Sequence, residues 1–163
     1  MMTWDLGDKV DYSPVHSFEM HEAFTYGNMR ATQRDIDKRR RIRFEAAKQF
    51  PKDIPPGQWW AFRIYVKKSG NRPFDIENVP KLIIDAFCTR QIRKDRQSEY
   101  VDLLGLYDDD TIEHVGIVEI RGERTVNQNS MMVSIFRRRE QMRAPTYPTT
   151  QQVSGGSPNK FST

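Results

Sequence analysis

The clearest alternation of hydrophobic and polar positions lies at residues 58–67. There Trp60, Phe62, Ile64 and Val66 alternate with Trp59, Ala61, Arg63, Tyr65 and Lys67. A period of two built from aromatic and β-branched residues predicts a strand. Ser69-Gly70-Asn71-Arg72-Pro73 breaks it, and a helical period takes over from Asn78 to Phe87. Val79, Leu82, Ile83, Ala86 and Phe87 recur at i, i+3, i+4, i+7 and i+8, a continuous apolar stripe. Asn78 is a suitable N-cap, and Pro80 is tolerated because it lies in the first turn. A second helix is predicted over 31–50, a run free of Gly and Pro that Pro51 ends. Its apolar members Ile36, Phe44, Ala47 and Phe50 share an arc of about 120° at ~100° per residue. Arg40 and Arg43 interrupt that arc. Residues 111–121 and 130–136 predict two further strands, joined as a hairpin through 122–129. A short strand is expected within 17–24, and residues 89–106 carry no clear period.

One basic helix, one buried helix and three or four strands make an α+β fold. The expected architecture is a small, mostly antiparallel or mixed sheet with two main helices on one face. The chain of 163 residues suits one domain. A poorly defined segment (1–28) precedes the domain (29–142), and a tail rich in Pro, Thr, Gln, Ser and Gly (143–163) is expected to be disordered. No run approaches the ~18 apolar residues of a spanning helix, and no apolar signal region opens the chain. The lone Cys88 allows neither an intramolecular disulfide nor a cysteine-built zinc site. These features lead to the expectation of a cytoplasmic protein.

The formal charge is only +4, from 26 Lys and Arg against 22 Asp and Glu, so its distribution matters more than its sum. Between Arg30 and Lys48 stand eight basic and three acidic residues. Further basic runs occupy 90–96 and 137–139, while acids gather at Asp75/Glu77 and Asp108-Asp109-Asp110. Separate basic patches suit a polyanion such as nucleic acid, although any single run is also what a solvated helix face looks like.

The candidate chemistry lies in Asp75-Ile76-Glu77-Asn78-Val79-Pro80-Lys81, where a loop gives way to a helix. Carboxylates at i and i+2 of an extended segment point the same way. A third can come from Asp108–Asp110, ahead of the next strand. Three hard oxygen ligands suit Mg²⁺ or Mn²⁺, and a nearby lysine can hold a phosphate or neutralise developing charge. Spacing alone is equally compatible with acids that complement a helix dipole and with a plain acidic turn. His16, His21 and His114 have no metal-ligand spacing, and Cys88 adjoins an apolar helix face as a core residue would.

The string Asp75-Ile76-Glu77-Asn78-x-x-Lys81-x-x-x-Asp85-Ala86 resembles the D-x-D-N-x-x-K-x-x-x-D-A signature of the RusA endonucleases, the phage and prophage Holliday-junction resolvases. The segment from Asp108 through Ile112 and Val115 to Ile117 is similar to the family's second signature, an Asp-Asp pair leading into a strand. The resemblance spans roughly residues 60–136. It implies a homodimer that binds branched DNA and cuts paired strands with Mg²⁺. By position it implies Asp75, Glu77 and Asp109 as metal carboxylates, with Asp110 as the alternative if the register slips by one. Lys81 is the implied basic catalytic residue, and Asn78 and Asp85 would shape the site. Arg34, Lys38, Arg39, Arg40, Arg41 and Arg43 on the basic helix are the expected DNA contacts. Three departures accompany the resemblance. Glu77 replaces the usual Asp, Glu119 stands where many members have lysine, and the N-terminal segment lacks a clear copy of the family's opening strand. The expected function is a Mg²⁺-dependent endodeoxyribonuclease that resolves four-way junctions in recombination and repair. The alternatives are a non-catalytic nucleic-acid-binding protein on the same fold and a metal nuclease for flaps or single strands.

Overall fold

A computed structural model describes residues 12–26, 32–54, 59–95 and 104–138. The chain order is β1 (Tyr12–Met20), α1 (Gln33–Ala47), β2 (Trp60–Ser69), α2 (Asn78–Phe87), α3 (Thr89–Lys94), β3 (Val115–Thr125) and β4 (Ser130–Arg138). The four strands form one mixed sheet in the order β1-β4-β2-β3, so the fold is α+β as expected. β4 runs antiparallel to both β1 and β2, whereas β3 lies parallel to β2. The expected hairpin is therefore corrected: β3 and β4 are consecutive but do not pair, because β2 lies between them. A parallel neighbour requires a crossover, and α2 and α3 supply it between β2 and β3.

The alternation in β2 does what its period predicts. Trp60, Phe62, Ile64 and Val66 are buried, and Phe62, Ile64 and Val66 stand beside Ile135, Val133 and Met131 of β4. Phe18 and Met20 of β1 extend that row, opposite Val133 and Met131. The whole apolar stripe of α2 is buried in the same core with Ile42 and Ala46 of α1. The expected short strand within 17–24 starts earlier and is longer, Tyr12–Met20, so residues 12–20 are part of the sheet. The tail 143–163 lies outside the described residues.

α1 buries a stripe rotated away from the centre of its apolar arc and overlapping its edge at Arg43. Phe44 is 63% exposed, while the buried residues are Asp35, Arg39, Ile42, Arg43 and Ala46. These also follow a helical stripe, but three of the five are charged: Asp35 meets Lys38, Arg39 meets Asp95 and Arg43 meets the Ala86 carbonyl. A capping box starts the helix: Asp35 N–H donates to Thr32 Oγ1 at 3.3 Å and Thr32 N–H to Asp35 Oδ2 at 3.5 Å. Arg43 explains itself at the far end of α2. The last four carbonyls of a helix lack intrahelical donors. Here Ile84 O accepts from the Tyr107 hydroxyl (2.7 Å), Asp85 O from Cys88 N (3.4 Å), Ala86 O from Arg43 NH1 (2.9 Å) and Phe87 O from Leu106 N (2.9 Å). Arg43 thus brings positive charge to the negative end of α2. Burial pushes its pKa down to about 10, against the opposing charge of Asp95, which leaves it a cation at neutral pH.

Candidate functional site

The loop between β2 and α2 is fixed from several sides. Thr25 Oγ1 donates to the Asp75 carbonyl at 2.6 Å, and Lys38 Nζ donates to the Thr25 carbonyl at 2.7 Å. Ile76 rests over β3 at Gly122, where a Cβ would run into Ile76 Cδ1. Bare backbone at Gly122 therefore lets the loop lie close to the sheet, beside a cleft of about 230 Å³ that Val66, Phe74 and Ile76 help to line. The Asp75 carboxylate closes the turn into α2. Its Oδ1 accepts from Glu77 N–H at 3.1 Å and its Oδ2 from Asn78 Nδ2 at 2.5 Å. The cap expected at Asn78 is shifted accordingly: Glu77 is the N-cap residue, it adopts a helical conformation, and no side chain caps through it. Asp75 and Glu77 are both exposed.

One helical turn beyond Asn78 stands Lys81. Its ammonium donates to Asp85 Oδ1 at 2.8 Å and to Asp110 Oδ2, the latter from the turn before β3. Burial disfavours the Lys81 cation, but the hydrogen bonds and charges of Asp110 and Asp85 outweigh it and raise its pKa above the ordinary lysine value. The Lys81 hydrogen bond in turn lowers the pKa of Asp110. The two sequence signatures, 75–86 and 108–117, therefore meet at one ammonium.

Within the acidic triplet the structure selects Asp110 for that meeting. Asp109 turns away, accepting from Arg90 NH1 at 2.8 Å and from Asp110 N–H at 3.0 Å. The backbone sets this choice. Cys88 and Tyr107 form a parallel bridge, Thr89 N donates to Tyr107 O at 2.8 Å, and Arg90 N donates to Asp108 O at 3.1 Å. That ladder holds the triplet against the α2–α3 junction. The expected set Asp75, Glu77 and Asp109 is not gathered into one cage, and no group of three His, Cys, Asp or Glu side chains is, among the described residues. The donor chemistry nevertheless fits a hard divalent ion. Asp75 and Glu77 are exposed oxygen donors of the kind such an ion takes, and Mg²⁺ is commonly held by one or two carboxylates plus water and phosphate oxygens, whereas Asp85 and Asp110 are engaged with Lys81.

The basic helix divides. Arg39 and Arg43 are buried, so neither presents its charge to solvent, contrary to their expected role as DNA contacts. Arg39 is bidentate to Asp95, with Nε to Oδ2 at 2.7 Å and NH2 to Oδ1 at 2.6 Å. Lys38 pairs with Asp35 at 3.2 Å, and Arg40 is half-buried. Arg34 and Arg41 remain exposed, although Arg41 pairs with Glu22 and lies over the Phe24 ring at 5.2 Å. α3 carries Arg90, Arg93 and Lys94, all exposed and at i, i+3 and i+4 on one face.

The side chains that sequence reasoning passed over are Tyr26 and Asp95. The Tyr26 hydroxyl donates to Asp85 Oδ2 at 2.6 Å and accepts from Arg39 NH1 at 2.9 Å. Their signal lies in burial, which the sequence does not show. A carboxylate such as Asp85, 9% exposed beside an apolar stripe, must have donors around it, and a buried Arg39 must have an acid. No helix among the described residues is long and apolar enough to cross a membrane. Comparison with protein-family models, with curated proteins and with solved structures returns no match to this chain.

Proposed function

We propose that this protein is a Mg²⁺-dependent, structure-selective endodeoxyribonuclease of RusA type. It resolves four-way junctions by phosphodiester hydrolysis in DNA recombination and repair, acting as a homodimer so that two opposed strands each meet a site. The observation that carries this reading is the convergence of Asp85 and Asp110 on Lys81, because it joins two separate signature segments in one charged cluster.

Asp75 and Glu77 at the entry to α2 would hold the metal, with its remaining positions left to water and phosphate oxygens, while Asp110, rather than Asp109, organises the Lys81 charge beside them. Bound there, Mg²⁺ supplies Lewis acidity toward a phosphate oxygen and a more acidic attacking water. Lys81 contributes a compact, persistent positive charge toward which a non-bridging phosphate oxygen can orient, and it neutralises charge that develops there as the strand is cut. Asp85 keeps that ammonium in place, being 12% exposed against 52% for the lysine itself. Asn78 holds Asp75 at the helix start.

Binding to the DNA backbone falls to the cations that face solvent. Arg34 and Arg41 lie on α1, and Arg90, Arg93 and Lys94 lie on α3 next to the acidic triplet. Such contacts fix position and carry no sequence preference of their own. The test compares nicking of synthetic four-way, flap and linear duplex substrates with Mg²⁺ and with EDTA. Preferential, Mg²⁺-dependent nicking of the four-way junction is expected. Binding without nicking would make the chain a non-catalytic nucleic-acid-binding protein, and preference for flaps or single strands would change the substrate class.

A further inference from the structure

Behind Lys81 lies a chain of hydrogen bonds that the hydrolytic reading does not use. It begins at Asp95, the C-cap of α3, whose two oxygens grip Arg39 of α1. Gln91 Nε2 adds a donor to Asp95 Oδ1 at 2.9 Å. The remaining guanidinium arm, NH1, reaches the Tyr26 hydroxyl, which reaches Asp85, which reaches Lys81. The direction of each bond is fixed by chemistry. Arginine can only donate, so the Tyr26 oxygen must accept from Arg39, and its single proton is left for Asp85. Asp85 then has Oδ2 committed to Tyr26 and Oδ1 to Lys81, which fixes the plane of its carboxylate. Burial, and then the hydrogen bond to Asp85, push the Tyr26 pKa up, so the hydroxyl keeps that proton.

We propose that Tyr26 is a positioning residue for Lys81. With its oxygen held by the buried Arg39–Asp95 pair, it orients Asp85 so that the lysine ammonium is presented to the substrate phosphate. The inference rests on the reading of Lys81 as catalytic and deepens it. The arrangement is poorly explained as a stability device alone. Two full charges inside the protein carry a desolvation cost that well-packed apolar residues would avoid, and an ion pair there is weak evidence of stabilisation. A phenylalanine would fill the Tyr26 position equally well. It would leave Asp85 Oδ2 without its donor and the carboxylate free to rotate away from Lys81.

Tyr26→Phe tests this, read by single-turnover cleavage of a four-way junction beside junction affinity. The cleavage rate should fall about tenfold, the lower end for removing an orienting partner, while affinity stays unchanged. In a Lys81→Ala background the same substitution should cause no further loss, because groups that act through one another are not additive. An unchanged rate in Tyr26→Phe, or a full additional loss on top of Lys81→Ala, would overturn the proposal. A second readout needs no cleavage. The Lys81 ammonium ¹H–¹⁵N correlation, measured in EDTA at low temperature, should be visible in the wild-type chain and broadened by solvent exchange in Tyr26→Phe. Equal signals in the two proteins, or none in the wild type, would refute the relay. A wild-type chain that cuts no junction would overturn the proposed function, and the ammonium signal would still decide the relay.

Discussion

Asp110, from the turn that precedes β3, accepts a hydrogen bond from Lys81 of α2, although the two belong to separate segments of the chain. The same ammonium is held by Asp85, four residues further along its own helix, at 2.8 Å. A lysine one turn inside a helix N-terminus is unfavourable on dipole grounds alone, by a few tenths to ~1 kcal/mol. Two carboxylates on one face offset that cost, and together they keep the charge in one place.

Lys81→Ala should leave the fold intact, since the side chain is about half-exposed, and should lower single-turnover cleavage of a four-way junction by at least ~100-fold. Lys81→Arg should recover little of it, because a planar guanidinium does not replace a compact ammonium between two carboxylates. Wild-type cleavage by Lys81→Ala would reduce the residue to a salt-bridge partner of Asp85.

Asp75→Asn should abolish cleavage while leaving junction binding intact or tighter. One negative charge facing phosphate is removed, and the basic contacts remain. A gel-shift titration beside a nicking assay separates the two effects, and wild-type turnover would move the site elsewhere.

Arg39 and Arg41 stand two positions apart with opposite fates, and denaturant unfolding should separate them. Arg39→Ala strands Asp95 inside the protein without its cation and should cost about 3–5 kcal/mol. Arg41→Ala breaks an exposed pair with Glu22 and should cost at most ~1 kcal/mol. Equal small losses at both positions would place Arg39 at the surface after all.

The contrast shows what sequence could convey about α1. Its apolar residues form an arc, but the helix buries a different stripe that includes Arg39 and Arg43, which are satisfied by partners remote in sequence. A hydrophobic period cannot register a buried arginine, because the sequence does not disclose that Asp95 and the end of α2 await it. α2 was legible because its stripe is wholly apolar and needs no partner to explain its direction. β2 was legible for the same reason. The pairing of β3 was not. Turn-like residues between consecutive strands suggest a hairpin, whereas the parallel partner of β3 is the distant β2, with Trp60 beside Val115 and Ser69 beside Thr125. In the site, residue types and spacing pointed to Asp75, Lys81 and the acidic triplet. Which member of the triplet meets Lys81 is a matter of one residue that spacing does not resolve: Asp110 reaches the ammonium, and Asp109 reaches Arg90. Tyr26 belongs to no period at all, and only its place in space gives it a role.

Arg93→Ala combined with Lys94→Ala should weaken binding to all DNA sequences alike. Each lost phosphate contact should reduce the log–log salt slope by about 0.9. An unchanged slope, read from affinities across a salt series, would assign this face of α3 to solvent.

The most direct measurement is single-turnover cleavage of a four-way junction by Asp110→Asn beside Asp109→Asn, with Mg²⁺ and with EDTA. The wild-type chain should cut with Mg²⁺ and not with EDTA. Asp110→Asn should lose at least ~100-fold, as expected when a group that organises charge at the site is neutralised, and Asp109→Asn, whose carboxylate faces Arg90, should stay within several-fold of wild type. Cleavage that survives EDTA, or that ignores Asp110→Asn, would contradict a hydrolytic centre built where Lys81 and Asp110 meet.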